Sequence, residues 1–216
     1  MHTAEHLQAM LSSAVYIVDK QGKLLAYRDD SQNCAFDFDE VKNGKLSEES
    51  MSFIYRYTQS TGNIAHDGRY LMIMPINNMG ERIGTVVYSR SKKGFDSEEI
   101  ILGEYGAAIS AVQLLRMINR KAETEARKKN VVQLALEVLS YSELEAVKYI
   151  FGEINGSEGF LIASKLAEEY KLTRSVIVNA LRKLESAGVI DARSLGMKGT
   201  YIKVLNDYLY EELAKV

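Results

Sequence analysis

Residues 173–190 read TRSVIVNALRKLESAGVI, in which apolar residues recur at the three- and four-residue spacing of a helix. Thr173 is placed to cap the first turn of that helix, and Gly188 is placed to end it. We therefore predict a helix from Arg174 to Ala187 that buries one face. The predicted buried residues are Val176, Ile177, Ala180, Leu181 and Leu184.

A second helix is predicted just upstream, from Phe160 to Tyr170, and only Lys171-Leu172-Thr173 separates the two. So short a connection forces the helices to cross steeply, which is typical of a helix-turn-helix. In that arrangement the later helix enters the major groove of DNA. A further helix is predicted from Glu143 to Glu153, between a Ser142-x-x-Glu145 capping box and the turn pair Asn155-Gly156.

Two β-type runs follow, Val189 to Arg193 and Thr200 to Leu205, joined by Gly196-Met197-Lys198-Gly199. This hairpin predicts a wing that grips phosphates or enters the minor groove. On the helix, arginine can pair with guanine and asparagine with adenine. The predicted DNA contacts are Thr173, Arg174, Ser175, Val178, Asn179, Arg182, Arg193, Ser194 and Lys198. The same helices and hairpin also occur in protein–protein modules, which is the alternative interpretation.

The charge distribution favours DNA over a protein partner. The whole chain of 216 residues has a net charge of −2 and an isoelectric point near 6.0. Residues 160–206 nevertheless contain eight lysines and arginines against four acids, a net charge of +4, which leaves −6 for the rest. One end of the chain can therefore approach phosphate while the other repels it.

The first ninety residues alternate short β-type runs with turn signals, which predicts a small antiparallel sheet. Strands are predicted at 15–18, 24–27, 70–76 and 83–89, and helices at 4–11 and 48–58. This order predicts an α+β fold with an N-terminal sensor domain of the GAF or PAS type, two folds that the pattern alone does not separate.

A long helix is predicted from Ser97 to Leu139, a segment with no proline and only two glycines. Its apolar stripe predicts sensor-domain core, a dimer seam, or both on different faces. The charged segment 119–130 predicts a solvent-exposed bridge between folded parts. The predicted domains are a sensor domain (1–96), a linker and dimerisation helix (97–139) and a winged helix-turn-helix (140–216).

The stretch 173–190, followed by SLGMKGTYIKVL at 194–205, closely resembles the CodY global regulators of Gram-positive bacteria. Upstream stretches extend the resemblance over most of the chain: GKLLAY (22–27), GERIGT (80–85), ILGEYGAAI (101–109) and LSYSELEAV (139–147). The resemblance implies a homodimer that represses nutrient-adaptation genes from an A/T-rich, partly palindromic operator. It also implies that Arg174, Ser175 and Asn179 contact that operator.

In that family a GAF-type domain senses branched-chain amino acids, chiefly isoleucine, and many members respond to GTP. The resemblance therefore implies isoleucine, leucine or valine as effectors of this chain, with GTP as a weaker candidate. The segment from Arg28 to Arg69 is shorter here than in the family and lacks the stretches that line the amino-acid pocket. GTP is weaker because no G-x-x-x-x-G-K-[ST] loop is present, and Asp19 to Gly22 is better explained as a hairpin turn.

An amino-acid pocket needs a cation for the carboxylate and an apolar wall for the side chain. Arg28, Arg56 and Arg69 are candidates for the cation. The candidate wall residues are Tyr27, Phe36, Phe38, Ile73 and Pro75. The alternative is that these arginines are solvated and the aromatic residues belong to the core.

The composition argues against an enzyme and against a metal site. The only histidines are His2, His6 and His66, and no third ligand keeps a fixed spacing with the first two, so no metal or cofactor is predicted. The only cysteine, Cys34, lies in an acidic stretch that raises a thiol pKa, which argues against a nucleophile. The sequence shows a single cysteine, no signal segment and no 18-residue apolar run, which predicts a cytoplasmic location and no membrane span.

The sequence therefore predicts a dimeric, effector-responsive repressor. Effector binding would shift the population of dimers whose recognition helices match the operator spacing. The alternative from another class is a constitutive dimeric DNA-binding or interaction module whose N-terminal domain binds no effector.

Overall fold

The computed structural model describes residues 2–29, 33–154 and 156–216, with the side chains of His2 and Met197 outside the description. Asn155 of the predicted turn pair also lies outside it. The chain forms two compact units, Met1–Asn119 and Arg120–Val216. Each unit is described by itself below.

The N-terminal unit is built on one antiparallel sheet of five strands in the order β2-β1-β5-β4-β3. The strands are β1 (Ala14–Asp19), β2 (Leu24–Arg28), β3 (Thr61–His66), β4 (Arg69–Asn78) and β5 (Glu81–Arg90). The Asp19 carboxylate accepts hydrogen bonds from the backbone N–H groups of Gln21 and Lys23, which confirms the predicted hairpin turn between β1 and β2.

Helices cover both faces of this sheet. They are α1 (His2–Leu11), α2 (Phe38–Asn43), α3 (Glu48–Tyr55) and the first part of α4 (Ser97–Glu137). Because side chains alternate along a strand, Met72 and Met74 of β4 pack towards α1 and α4, whereas Ile73 packs towards α2 and α3. The unit therefore has two apolar cores, one on each side of the sheet.

Two elements of this unit were absent from the sequence prediction. Strand β3 is a half-buried edge strand with the sequence TGNIAH. Its glycine and asparagine are uncommon in strands, so the sequence pattern did not indicate one. Helix α2 has only six residues, too few to show a helical period. Helix α3 also ends at Tyr55, three residues before the predicted end, where the Arg82 guanidinium donates to the carbonyls of Ile54 and Tyr57.

Helix α4 approaches the sheet closely through two glycines. The Tyr88 hydroxyl donates to the Gly103 carbonyl at 3.0 Å, and a Cβ at Gly106 would lie 2.4 Å from the same hydroxyl. An 18-residue window of α4 reaches a mean hydropathy of 1.2, enough by length and composition to cross a membrane. Only 28% of that window is buried within the protein, so the helix presents an apolar exposed face.

The C-terminal unit combines helices with a three-stranded antiparallel sheet in the order β6-β8-β7. Its elements are α5 (Tyr141–Ile154), β6 (Glu158–Leu161), α6 (Ala163–Glu169), α7 (Arg174–Ser186), β7 (Ile190–Ser194), β8 (Thr200–Val204) and α8 (Leu209–Leu213), together with the last part of α4. One apolar core, which includes Phe151, Ile177 and Ile202, joins these elements.

Two sequence predictions in this unit give the wrong starting residue for an element. The helix predicted from Phe160 begins as β6, because Phe160 and Leu161 pair with Tyr201 and Thr200 of β8. The capping box is Ser140-x-x-Glu143 rather than the pair starting at Ser142. The Glu143 carboxylate accepts the Ser140 backbone N–H at 2.7 Å, and α5 begins at Tyr141.

The Arg90 guanidinium connects three segments of the N-terminal unit. It donates to the Leu11 carbonyl at the end of α1 and to the Lys93 and Gly94 carbonyls after β5. It also forms two hydrogen bonds of 2.8–2.9 Å with the Glu99 carboxylate in the first turn of α4. This pairing with Arg90 lowers the pKa of Glu99 to about 2.

We expect Glu99→Gln to lower the free energy of unfolding by about 2–3 kcal/mol, because the nearly buried Arg90 loses its counter-charge. Since the pKa of Glu99 is depressed in the folded state, its contribution is complete above about pH 4.5 and falls as the pH approaches 2. Urea unfolding of the wild-type protein and the variant at pH 7 and pH 3.5 measures the loss of stability and its pH dependence. The difference in unfolding free energy between the two proteins should be smaller at pH 3.5.

The control is Lys93→Ala, which removes the exposed ion pair between Lys93 and Asp96. It should change stability by less than about 0.5 kcal/mol. Equal losses from both variants would contradict a special role for the Arg90–Glu99 pair.

Candidate functional site

The steep crossing of α6 and α7 is produced by a tight turn. Lys171 adopts a positive φ of 55°, and the Leu172 N–H donates back to the Ala167 carbonyl at 2.9 Å. The Thr173 hydroxyl then accepts the Val176 N–H, which confirms Thr173 as the N-cap of α7. The predicted helix-turn-helix geometry is therefore present.

Helix α7 buries one face and leaves the opposite face free. Ile177, Ala180, Leu181 and Leu184 are buried as predicted, whereas Val176 is only half-buried. The predicted contact residues of the helix share the outer face: Arg174, Ser175, Asn179 and Arg182 are exposed and Val178 is half-buried. The first turn of α7 also presents the Thr173 and Ser175 hydroxyls, 3.0 Å apart.

An ion pair connects α7 to α5. The Lys183 ammonium lies 2.6 Å from the Glu143 carboxylate and also donates to the Val138 carbonyl at 3.1 Å. The hydrogen bond from Lys183 to the Glu143 carboxylate, followed by the bond from the Ser140 N–H, lowers the pKa of Glu143. Sequence reasoning missed this pair, since the two residues are forty positions apart and no local pattern relates them.

The wing is the β7–β8 hairpin, in which Ser194 pairs with Thr200. A single 3-10 turn, Gly196–Lys198, forms its tip, where Lys198 is exposed. Arg193 points along the strand towards Asp191, with the guanidinium 2.9 Å from the carboxylate. Gly199 has a φ of 98°, and a Cβ there would lie 2.4 Å from the Leu161 carbonyl oxygen. Only glycine fits where the wing returns to β8.

The charges on this surface suit a polyanion. Within the described part of the chain, the side chains of Arg174, Arg182 and Lys198 form no ion pair, whereas Arg193 is engaged with Asp191. Guanidinium groups on an exposed helix face can reach base edges, and a lysine at a wing tip can reach phosphates.

The N-terminal unit contains an open cavity of about 730 Å³ on the α2–α3 side of the sheet. Arg56 and Arg69, two of the predicted effector residues, line it together with Phe36 and Phe38. Residues that sequence reasoning missed also line it, among them Phe53, His66, Asp37 and Glu49. His66 lies on strand β3, and Asp37 immediately precedes helix α2. These are the two elements that the sequence pattern did not predict.

The other predicted effector residues lie outside this cavity. Tyr27 stacks on Tyr16 with ring centroids 6.5 Å apart, and Arg28 lies 3.8 Å from Glu5. Ile73 is fully buried in the core, and Pro75 lines a separate groove beside α4.

Cys34 lies at the edge of the same cavity. Burial and then the nearby Asp29 carboxylate raise the pKa of its thiol. The thiol is therefore protonated at neutral pH, in agreement with the sequence argument against a nucleophile.

Comparison with known families matches both units. The model of the CodY GAF-like domain matches residues 1–138, and the model of the CodY helix-turn-helix domain matches residues 157–216. These matches define a DNA-binding transcription regulator in which a GAF-type domain is joined to a winged helix-turn-helix.

Full-length relatives are similar over nearly the whole chain. The global transcriptional regulator CodY of Thermoanaerobacter sp. (strain X514) is 46% identical over 220 residues, which cover 99% of this chain and 88% of the relative. The protein of the same name from Geobacillus kaustophilus is 44% identical over 232 residues, with the same two coverages. This chain belongs to the CodY family, and it is a transcription regulator rather than an enzyme.

Among solved structures, the cofactor-binding GAF domain of the nutrient sensor CodY from Clostridium difficile is 25% identical. The match covers 51% of this chain and 81% of that domain, with a TM-score of 0.44.

We expect Gly199→Ala to distort the wing, since its Cβ would clash with the Leu161 carbonyl and its φ is unfavourable for alanine. DNA affinity should fall at least fivefold while the helical content stays unchanged. Fluorescence anisotropy and circular dichroism measure the two effects.

The matched control is Gly196→Ala at the other end of the tip. Gly196 has a φ of 64°, and a Cβ added there would have no other atom within 4 Å, so only the backbone cost of about 1 kcal/mol applies. If Gly196→Ala weakened DNA binding more than Gly199→Ala, the assignment of the wing would be wrong.

Proposed function

We propose that this chain is a dimeric repressor that reads its operator with α7 and the β7–β8 wing and responds to a small effector in its N-terminal unit. The observation that carries the proposal is the exposed face of α7, where Asn179 is exposed and Arg174 and Arg182 form no ion pair within the described residues. As a regulator of bacterial genes, it would act in the cytoplasm.

The proposed DNA contacts divide into two kinds. Arg174 and Asn179, with Ser175, Val178 and Arg182 around them, would lie along base edges in the major groove. Thr173 at the helix N-terminus and Arg193, Ser194 and Lys198 on the wing would contact phosphates or the adjacent minor groove. Only the first kind distinguishes one DNA sequence from another.

Fluorescence anisotropy with an A/T-rich palindromic duplex and a scrambled duplex, with and without isoleucine, tests this function. Arg174→Ala should cost about 1–3 kcal/mol on the palindrome and reduce the preference for it. Lys198→Ala should weaken binding to both duplexes by a similar factor and reduce the salt dependence.

Equal and sequence-independent losses from Arg174→Ala and Lys198→Ala would show that α7 does not read bases. Absence of binding to either duplex at physiological salt would favour a protein–protein module instead.

The exposed face of α4 supports a homodimer. Ile101, Tyr105, Ile109 and Val112 recur at helical spacing, and each is at least half exposed. A palindromic operator requires a two-fold symmetric protein, which supplies a second copy of the same helix. We propose that the apolar faces of α4 from two copies pack against each other.

We expect Ile109→Asp to shift the protein from dimer to monomer in multi-angle light scattering at micromolar concentration, because it places a charge in the apolar seam. Met79→Asp is the control, since Met79 is 99% exposed at the β4–β5 hairpin tip. A dimer that persists in Ile109→Asp would move the interface elsewhere.

The effector would occupy the α2–α3 cavity, with its carboxylate held by Arg56 and Arg69. The family assignment makes isoleucine, leucine and valine the first candidates to test, with GTP after them. Among the other sequence-predicted residues, Tyr27, Arg28, Ile73 and Pro75 lie away from this cavity and are not part of the proposed clamp. An effector that increases repression must bind the operator-competent dimer more tightly than the other forms.

A further inference from the structure

We infer that the α2–α3 cavity prefers an aromatic α-amino acid, with a planar ring against its phenylalanines and a carboxylate on its arginines. This inference rests on the proposed function, because it names the ligand of the proposed effector site. The ligand that it names differs from the branched aliphatic amino acids that family membership suggests.

Apart from Ala35, the apolar residues that line the cavity are mainly aromatic. Phe36, Phe38 and Phe53 line it, and within the described residues no valine, leucine, isoleucine or methionine does. Ile54 and Ile73, on the same side of the sheet, have no exposed surface and belong to the core. A branched aliphatic side chain therefore finds few partners of its own shape, whereas flat rings can stack or meet edge to face.

Two arginines flank an aromatic stack in this cavity. Phe53 of α3 stacks on His66 of β3, with ring centroids 4.3 Å apart and an interplanar angle of 25°. Arg56 follows Phe53 by one helical turn, and Arg69 pairs with His66 across the β3–β4 hairpin. Each arginine is thus positioned next to one member of the stack.

Both guanidinium groups are available to a ligand. Within the described part of the chain, neither the Arg56 nor the Arg69 side chain forms a hydrogen bond or ion pair. Arginine binds a carboxylate through two parallel hydrogen bonds, so either side chain can hold the acid group of a ligand.

Acidic groups that suit an ammonium line the same cavity. Asp37 occupies the N-cap position of α2, yet its side chain makes no capping bond. Glu49 in the first turn of α3 also has no ion pair among the described residues. Glu40 is different, because its carboxylate already accepts from the Ser47 N–H and the Ser50 hydroxyl. The cavity therefore offers free groups of both signs beside aromatic walls, as a zwitterion with a ring requires.

The volume of the cavity agrees with this assignment. At about 730 Å³ it falls within the usual range for small-molecule sites and has room for an amino acid with a ring. A ring and an α-amino carboxylate together can span from the arginines to the Phe36–Phe38 wall.

Thermal unfolding of the full chain tests the inference, with L-phenylalanine, L-tyrosine, L-isoleucine, L-leucine, L-valine, phenylpyruvate and GTP as separate probes. A bound ligand at a hundred times its Kd should raise the Tm by about 5–10 °C. We expect such shifts with phenylalanine or tyrosine at lower concentrations than with the aliphatic amino acids. Phenylpyruvate, which lacks the ammonium, should bind more weakly than phenylalanine.

Variants locate the ligand in this cavity. Arg69→Gln should weaken phenylalanine binding by about tenfold or more, since a charged hydrogen bond is lost. Arg28→Gln is the matched control, because Arg28 pairs with Glu5 outside the cavity and its loss should leave the affinity unchanged. Phe53→Leu should lower the affinity ratio of phenylalanine to isoleucine, which a merely structural role of Phe53 would not do.

Tighter binding of isoleucine than of phenylalanine would overturn the inference. An increase in Tm with GTP that Arg69→Gln abolishes would also overturn it, because the ligand would then be a phosphate. Absence of any shift would overturn it as well. In each case selective DNA binding in the anisotropy experiment would leave the proposed regulator standing, so the two failures are distinguishable.

Discussion

Helix α7 is held in place by only one of its faces, because the opposite face is exposed. Ile177, Leu181 and Leu184 carry most of that task by packing into the core of the C-terminal unit. The Lys183–Glu143 pair fixes the later part of the helix to α5, while the Thr173 cap and the positive φ of Lys171 fix its start. The buried residues that hold α7 therefore lie on a different face from Arg174, Asn179 and Arg182.

This division explains why the DNA-binding half was predicted well from the sequence. An amphipathic helix with a cap, a tight connection and a glycine-flanked hairpin leaves a local signal in a few consecutive residues. The errors arose where pairing is non-local. Phe160 and Leu161 read as helical in isolation but form β6, because β8 offers them a strand partner. The capping box was likewise placed two residues late, since both serines fit the pattern and only the fold selects Ser140.

The sensor half was predicted less well, for a related reason. The strands β1, β4 and β5 contain buried runs with β-branched or aromatic residues, so their pattern is clear, and β2 shows a short apolar run although only Leu24 of it is buried. The cavity instead depends on β3, on α2 and on the irregular residues around Phe36, where polar and aromatic residues follow no period. Arg28, Arg56 and Arg69 were each predicted as a candidate carboxylate clamp from residue type alone, and of these Arg56 and Arg69 line the cavity. His66 and Phe53 could not have been paired without the register of the β3–β4 hairpin.

The five hydrogen bonds of Arg90 also affect the dynamics of the N-terminal unit. They join the end of α1 to the segment after β5 and the first turn of α4, about eighty residues later in the sequence. Segments that share one buried anchor open together, because releasing any of them exposes the same charge. Amide hydrogens in these three places should therefore exchange with solvent as one cooperative unit rather than fray separately.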